Sequence, residues 1–296
     1  MPEFTELKKF AETCFKENII LLKKISEKSF KKKYSVSYIL KFLNQHHAQH
    51  IETMQIIINL LNIKFNKHFH NFAKEINPKL YKFSGIEIKK GTYKVGAKKF
   101  GFSFDNENPR HDIFINNYII SKKLISIPEW LAFIRDDGYK RKNLWSKEGW
   151  NWRVKNNVLF PMNWIFKNKY SFSISTPDGY TYPKKNMPVS NISKFEIDAF
   201  AKWSNLRVPH EFEWEISSNF LNDKFKVWEW SKNKFFGYKF FKPYPYKEYS
   251  YPWFNNNYYT LKGSSIITLQ DIKRVSFRNF YKPNTRYILS GGRLCI

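Results

Sequence analysis

The 296-residue sequence has only two cysteines, Cys14 and Cys295, and they stand near opposite ends of the chain. Two cysteines in these positions exclude a disulfide framework and a CxxC-type zinc site. No run of about 18 apolar residues occurs, and the first ten residues carry charges where a secretory signal needs an apolar segment. We therefore predict a cytoplasmic protein without membrane-spanning helices or disulfides.

Acidic residues are also scarce, since 25 Asp and Glu stand against 51 Lys and Arg and give a formal net charge of +26. Such a balance is typical of nucleic-acid-binding proteins. The basic residues are scattered along the chain, however, and lysine predominates, whereas recognition of phosphates and bases favours clustered arginine. We interpret the charge as a solvated basic surface. Nucleic-acid binding is kept as an alternative that requires the lysines to converge on one face.

Hydrophobic and aromatic residues are plentiful, at 42% and 19% of the sequence, which is ample for a packed core. Residues 4–28 and 36–62 repeat apolar side chains at steps of three and four, and this pattern predicts two amphipathic helices with a break at residues 29–35. Beyond residue 66 the sequence changes to short runs divided by Gly, Pro and Asn, with one helical stretch at residues 193–204.

These patterns predict an α+β protein with a helical part at residues 1–66, a linker at residues 67–85 and a second domain at residues 86–296. Two helices cannot bury their apolar stripes by themselves. We therefore expect the helical part to pack on the second domain or on a partner, either a second copy of the chain or a pair of partner helices.

The second helix contains the segment HHAQHIE, residues 46–52. Residues four apart share one face of a helix, so His46 and His50 direct their imidazoles to the same side, as two ligands of a transition metal do. The spacing alone does not show that these histidines bind a metal, because such pairs are also common as structural residues. A metal that activates dioxygen typically uses three protein ligands. The remaining histidines, none with an obvious place in such a site, are His47, His68, His70, His111 and His210.

Several later motifs occur in an informative order. They are FSFDNENPRH at residues 102–111, RVPHEFEWE at residues 207–215, YPYKEYS at residues 244–250, RNFYKPNTR at residues 278–286 and the closing GGR. Together they resemble the formylglycine-generating-enzyme-like, or sulfatase-modifying-factor, domain, which has a C-type-lectin-like fold. Within that superfamily the chain is most similar to the sulfoxide synthases of ergothioneine biosynthesis, which also carry a DinB-like helical bundle with a motif similar to HHAQHIE.

The resemblance implies a dioxygen-dependent oxidoreductase with a non-haem Fe(2+) centre. Such an enzyme joins a cysteine thiol to the imidazole of hercynine, the trimethylated betaine of histidine, and forms a sulfoxide. It implies His46 and His50 as iron ligands and Tyr246 as a catalytic proton donor. The residues implied in substrate binding are Gln49, Tyr249, Asn279, Arg278 and Arg286.

The chain departs from the family pattern at several points. The family's first iron-binding histidine lies upstream of the segment that matches residues 4–28, so a third iron ligand is not found. Tyr281 stands where some members have an aspartate that binds the thiol substrate, His47 replaces a glutamate, and residues 262–265 read KGSS in place of RGGS. We expect a misplaced coding start, a partner chain that completes the bundle, or a repurposed relative.

Two hypotheses from different classes follow. The first is a sulfoxide-synthase-like iron enzyme, and the second is a non-catalytic lectin-like protein that keeps the ligand pocket but lacks the complete iron site. Formylglycine generation itself is excluded, because it uses a pair of cysteines in the lectin-like domain and that region contains only Cys295.

Overall fold

A computed structural model describes residues 2–24, 35–65, 69–99 and 101–296. The chain divides into two compact units, residues 1–46 and residues 47–296. The first unit consists of helix α1 (Phe4–Lys24) and the beginning of helix α2 (Val36–Phe65). Both predicted helices are confirmed where they fall on described residues. Residues 25–28 of the first predicted helix and residues 29–34 of the predicted break lie outside those residues.

The second unit begins on α2 and adds four short helices. The predicted helix at residues 193–204 is confirmed as the third of these, Lys194–Trp203. Each of the four begins at a residue with extended backbone, as helix N-caps do. Their bounds are Ile127–Arg135 for α3, Lys147–Lys155 for α4, Lys194–Trp203 for α5 and Glu211–Ser217 for α6.

The strands of the second unit are short and separated by long loops. Their bounds are Lys74–Glu75 (β1), Gly85–Ile88 (β2), Gly91–Val95 (β3), His111–Ile115 (β4), Tyr118–Ser121 (β5), Trp164–Phe166 (β6), Ser171–Thr176 (β7), Gly179–Thr181 (β8), Trp228–Lys234 (β9), Tyr259–Gly263 (β10), Asn279–Tyr281 (β11) and Ser290–Gly291 (β12).

The sheet that positions the functional residues has the strand order β11-β10-β9-β12. Strands β10 and β11 are antiparallel, with Leu261 opposite Asn279, and β12 lies parallel to β9. A second sheet is built around β7, which pairs with β1, β6 and β8. The antiparallel pairs β2-β5 and β3-β4 complete the described strands. This mixture of helices and small sheets confirms the α+β class.

The core of the second unit is strongly aromatic. Trp130 of α3 stacks on Phe200 of α5 with ring centres 4.9 Å apart, and both side chains are fully buried. Burying one large apolar side chain contributes about 1.5–3 kcal/mol, so this helix pair is an effective anchor. None of the helices in the described ranges is long and apolar enough to cross a membrane.

Candidate functional site

The motif HHAQHIE attaches α2 to the later part of the second unit through Gln49 and Glu52. Gln49 Nε2 donates a hydrogen bond to the Tyr249 hydroxyl at 3.2 Å. Glu52 lies almost one turn further along the helix and is 6% exposed. Because these residues are three apart, they share one side of the helix and hold that side against the same region of the fold.

Glu52 accepts hydrogen bonds from three side chains. Trp228 Nε1 donates at 2.7 Å and Ser265 Oγ at 2.9 Å to Oε1, and Thr268 Oγ1 donates at 2.9 Å to Oε2. Burial raises the pKa of Glu52, while these hydrogen bonds act to lower it. The sequence pattern includes Glu52 but does not reveal its partners, one of which belongs to the KGSS segment.

A small cavity of about 90 Å³ opens beside these two residues. Its wall combines a carboxylate and two amides with aromatic and aliphatic side chains. The lining residues are Gln49, Glu52, Thr53, Ile56, Trp228, Ile272, Phe277, Asn279 and Tyr281. The structure therefore brings together Gln49 and Asn279, two of the residues that the sequence predicts to bind substrate.

The predicted tyrosine pair lies on the loop that contacts Gln49. Tyr249 stacks on Phe104 with ring centres 4.5 Å apart, and burial raises the pKa of its phenol well above the usual value. The ring of Tyr246 lies 6.1 Å from that of Tyr249, and its side chain is 43% exposed. Partial burial, and then the charges of Asp105 and Glu248, raise the pKa of Tyr246. Both phenols are thus protonated at neutral pH, and Tyr246 is exposed to solvent while Tyr249 is more deeply buried.

Hydrogen bonds from the FSFDNENPRH loop fix the tyrosine loop. Ser250 Oγ donates to Asp105 Oδ1 and accepts from Asn106 Nδ2 at 3.0 Å. The backbone N–H of Tyr244 donates to Asp105 Oδ2 at 3.3 Å. The FSFDNENPRH segment, whose last residue His111 begins β4, thus supports the loop that carries Tyr246 and Tyr249.

The two arginines predicted to bind a substrate carboxylate are engaged elsewhere. Arg278 is 2% exposed and forms a bidentate ion pair with Glu211 at 2.7 and 2.8 Å. The guanidinium of Arg286 lies 2.9 Å from the carboxylate of Glu196 at Oε2. The structure therefore places both arginines in internal ion pairs, and their contact with substrate stays a prediction. Arg293 is likewise paired internally, with Glu229.

His46 and His50 lie four residues apart on α2, as predicted. Within residues 2–24, 35–65, 69–99 and 101–296, no group of three or more His, Cys, Asp or Glu side chains is arranged to hold a metal. Two imidazoles are fewer ligands than the resemblance implies. The described residues alone therefore do not fit a complete Fe(2+) site. The candidate His68 lies outside the described residues.

Two of the other histidines have structural contacts. The ring nitrogen Nδ1 of His111 lies 2.9 Å from the carbonyl oxygen of Pro109. His210 is the N-cap of α6, where its Nδ1 accepts a hydrogen bond from the backbone N–H of Phe212 at 3.2 Å. Burial lowers the pKa of His210 from its usual 6.5, with Glu211 and Glu213 acting to raise it.

The cap at His210 predicts a pH-dependent stability. Protonation of His210 would remove the acceptor at Nδ1. Because the pKa of His210 in the folded protein lies below the unfolded value of 6.5, the stabilisation by this cap is complete above pH 6.5 and is lost as the pH falls. We expect His210→Asn, which keeps a capping oxygen, to reduce the slope of unfolding free energy between about pH 7 and pH 5. Urea unfolding measures the slope, and His47→Asn is the control. An unchanged slope in His210→Asn would contradict the assignment.

Comparison with known proteins connects this geometry to a family. Residues 77–226, just over half of the chain, match the sulfatase-modifying factor enzyme 1-like domain. This chain belongs to that family. The match begins within the predicted linker and covers α3 to α6, while Glu52 and the tyrosine loop lie outside it.

Two curated relatives of this family member are called hercynine oxygenase. The one from Mycolicibacterium thermoresistibile is 27% identical, with 65% of this chain and 54% of that protein covered. The one from Mycobacterium tuberculosis is 27% identical, with 65% and 55% covered. The chain thus spans about half the length of the curated relatives it matches.

Among solved structures, PvdO from Pseudomonas aeruginosa is similar to this family member with a TM-score of 0.51 and 12% identity. The similarity covers 75% of this chain and 99% of that structure. At this identity the likeness shows a shared fold, and it agrees with the C-type-lectin-like architecture expected from the sequence.

Cys295 has no catalytic environment. It is fully buried, and burial raises the pKa of its thiol to about 12. Its backbone exchanges hydrogen bonds with Arg207, at 2.8 and 3.0 Å. A thiol in this setting is inert, because reactive cysteines need a lowered pKa and access to solvent.

Proposed function

We propose that this chain is a sulfoxide-synthase-like oxygenase of the ergothioneine type, and that its small cavity beside α2 binds a hercynine-type histidine betaine. The carrying observation is that Gln49 and Asn279 line one cavity and that Gln49 also donates a hydrogen bond to Tyr249. The relatives called hercynine oxygenase support the choice of ligand. The second substrates in this proposal are dioxygen and a cysteine thiol.

The composition of the cavity suits such a ligand. The trimethylammonium group of hercynine is a permanent cation, and cations of this kind bind against aromatic faces. Trp228 and Phe277 line the cavity with ring centres 5.6 Å apart, and the buried carboxylate of Glu52 lies in the same wall. The amides of Gln49 and Asn279 supply donors and acceptors for the polar groups of the ligand.

The tyrosine loop would handle protons at this site. Tyr246 is accessible and its raised pKa keeps the phenol proton in place at neutral pH, as a general acid requires. Tyr249 is buried and bound to Gln49, so its role would be to hold the amide in position. Tyr281 lines the cavity where some family members have an aspartate, so the thiol donor would be recognised differently here.

His46 and His50 are the proposed iron ligands. When bound, Fe(2+) would supply the activation of dioxygen, but at least one further ligand must come from outside the described residues. From the same family resemblance we also propose a DinB-like bundle at residues 1–66, a linker at residues 67–85 and the lectin-like domain at residues 86–296. We also propose that the protein is cytoplasmic.

A partner for α2 also belongs to the proposal. The second unit exposes apolar side chains of α2 at alternating steps of three and four, namely Ile51, Met54, Ile58, Leu61 and Phe65. This spacing is typical of a helix that packs along another helix. We expect a second copy of the chain, or a partner that completes the bundle, to cover this face.

Calorimetry with hercynine tests the function. We expect Asn279→Ala to weaken binding of hercynine about tenfold, the size of one lost hydrogen bond. Asn116→Ala, at an exposed amide outside the cavity, should leave the affinity unchanged. Equal affinities for the wild type and Asn279→Ala, or no binding at all, would contradict the proposed ligand site.

An anaerobic titration with ferrous iron tests the proposed metal site, with the wild type and two histidine variants. We expect His50→Ala to lose binding that is retained by His47→Ala, an exposed neighbour on the same helix. Light scattering on these samples is expected to show dimers, and a monodisperse monomer would count against association of the chain with itself. Equal iron binding by both variants would remove His50 from the proposed metal site.

The second candidate is a non-catalytic lectin-like protein that binds the same ligand. It is favoured by the contrast between the assembled cavity and the lack of a three-ligand metal group among the described residues. Hercynine binding without iron binding or turnover with cysteine would select this candidate over the enzyme.

A further inference from the structure

A second and larger cavity, of about 670 Å³, lies in the same unit and shares no lining residue with the candidate site. Its walls are largely apolar and include Ile174, Val227 and Leu289. Three small polar residues, Asn163, Ser175 and Ser190, are buried in its lining. A mostly apolar cavity with a few polar groups at one place is the usual form of a small-molecule site.

Asn163 is the central residue of this polar group. It is 2% exposed, and its Nδ2 donates to Ser190 Oγ at 3.0 Å and contacts the carbonyl oxygen of Ser175 at 3.4 Å. Its Oδ1 is buried and has no hydrogen-bond partner in the structure. A buried acceptor of this kind is costly to leave unpaired, and it therefore points to a ligand that carries an N–H or O–H donor.

A second buried amide contacts the same serine. Asn59 is 1% exposed, and its Oδ1 accepts from Ser175 Oγ at 2.7 Å, while its Nδ2 has no partner. Asn59 itself does not line the cavity, so of the two amides only Asn163 offers an unpaired atom to a ligand. Both are neutral, which disfavours an ionised group at this end of the cavity.

The charged residues that line the cavity are exposed and balanced in sign. Lys184 and Lys226 carry positive charge, and Asp178 and Asp223 carry negative charge. Their formal charges sum to zero, so the lining itself does not favour an anion over a cation. Ile266, which is 54% exposed, is an accessible residue of the lining.

We propose that this cavity is a second small-molecule site, for an uncharged ligand whose primary amide or hydroxyl group donates to Asn163 Oδ1 and whose apolar body packs against Ile174, Val227 and Leu289. The proposal does not depend on the proposed function, because the two cavities have separate linings. A primary amide fits well, since its N–H groups can donate to Asn163 Oδ1 while the group itself stays uncharged.

Ligand-observed NMR with benzamide tests this site, with benzoate as the charged analogue of the same shape. Benzamide should bind more tightly than benzoate. We expect Asn163→Leu, which keeps the branching and number of side-chain heavy atoms but removes the acceptor, to weaken benzamide binding about tenfold. Ile266→Trp, at an exposed position that tolerates a larger ring, should also weaken it by obstructing the cavity.

Leu80→Trp is the matched control, because Leu80 is 70% exposed and does not line the cavity. It should bind benzamide like the wild type. Thermal unfolding of each variant shows whether it is folded, and Ile266→Trp provides the test if Asn163→Leu is not. Absence of benzamide binding at millimolar concentration would overturn the proposal, as would a preference for benzoate. Binding that survives in the folded cavity variants would also overturn it.

Discussion

Glu211→Ala is expected to lower the free energy of unfolding by about 3–5 kcal/mol, because it leaves the charge of Arg278 buried without its partner. Glu211 and Arg278 are both within 2% of full burial. Their two nitrogen–oxygen contacts measure 2.7 and 2.8 Å. Burial acts to raise the pKa of Glu211, but the Arg278 charge and its hydrogen bonds lower the pKa below its usual value. The carboxylate is therefore ionised in the folded protein.

Urea unfolding of three variants isolates this effect. Glu87→Ala removes an exposed ion pair with Lys89 and should cost no more than about 1 kcal/mol. The double variant Glu211→Leu/Arg278→Met removes both buried charges and should recover much of the stability lost in Glu211→Ala. A loss in Glu211→Ala as small as that in Glu87→Ala would show that the buried pair is not an important source of stability.

The same ion pair connects stability to the candidate site. Arg278 Nη1 donates to the carbonyl oxygen of Asn106 at 2.7 Å, and Asn106 in turn contacts Ser250 of the tyrosine loop. Asn279, which lines the cavity, is the next residue after Arg278. An arginine of this kind positions the residues around it, and a motif such as RNFY does not by itself show whether the arginine does this or contacts substrate.

The sequence predicts the α+β class and the helix at residues 193–204, because both depend on local periodicity. Gln49 and Asn279 do meet at one cavity. The sequence does not predict the ion pairs of Arg278 and Arg286, because their acidic partners, Glu211 and Glu196, lie 67 and 90 residues away. No local pattern shows whether a guanidinium is paired inside the protein or directed to a ligand.

The partners of Glu52 illustrate the same limit. Trp228, Ser265 and Thr268 lie 176, 213 and 216 residues along the chain from Glu52. A motif can indicate that a carboxylate is needed at the end of HHAQHIE, but only the folded chain shows that its function is to receive these hydrogen bonds. The cavity at Asn163 was likewise not predicted, because its residues come from separate loops and strands and share no motif.

Glu52→Leu is expected to cost about 3 kcal/mol of unfolding free energy, because three buried donors lose their acceptor at once. Glu52→Gln retains an amide oxygen for Trp228 and Ser265, and its Nε2 can donate to Thr268 Oγ1, so its loss should be about 1 kcal/mol. Urea unfolding measures the free energy of unfolding of both variants. Their side chains are similar in size, but only that of Glu52→Gln can form hydrogen bonds.

The effect of Glu52 on ligand binding distinguishes a purely structural role from a positioning role. Glu52 holds the side of α2 that also carries Gln49, so a displaced helix would separate Gln49 Nε2 from the Tyr249 hydroxyl, now 3.2 Å away. We expect folded Glu52→Leu to bind hercynine at least about tenfold more weakly than Glu52→Gln, measured by calorimetry. Equal affinities for the two folded variants would mean that the three hydrogen bonds stabilise the fold without positioning the cavity.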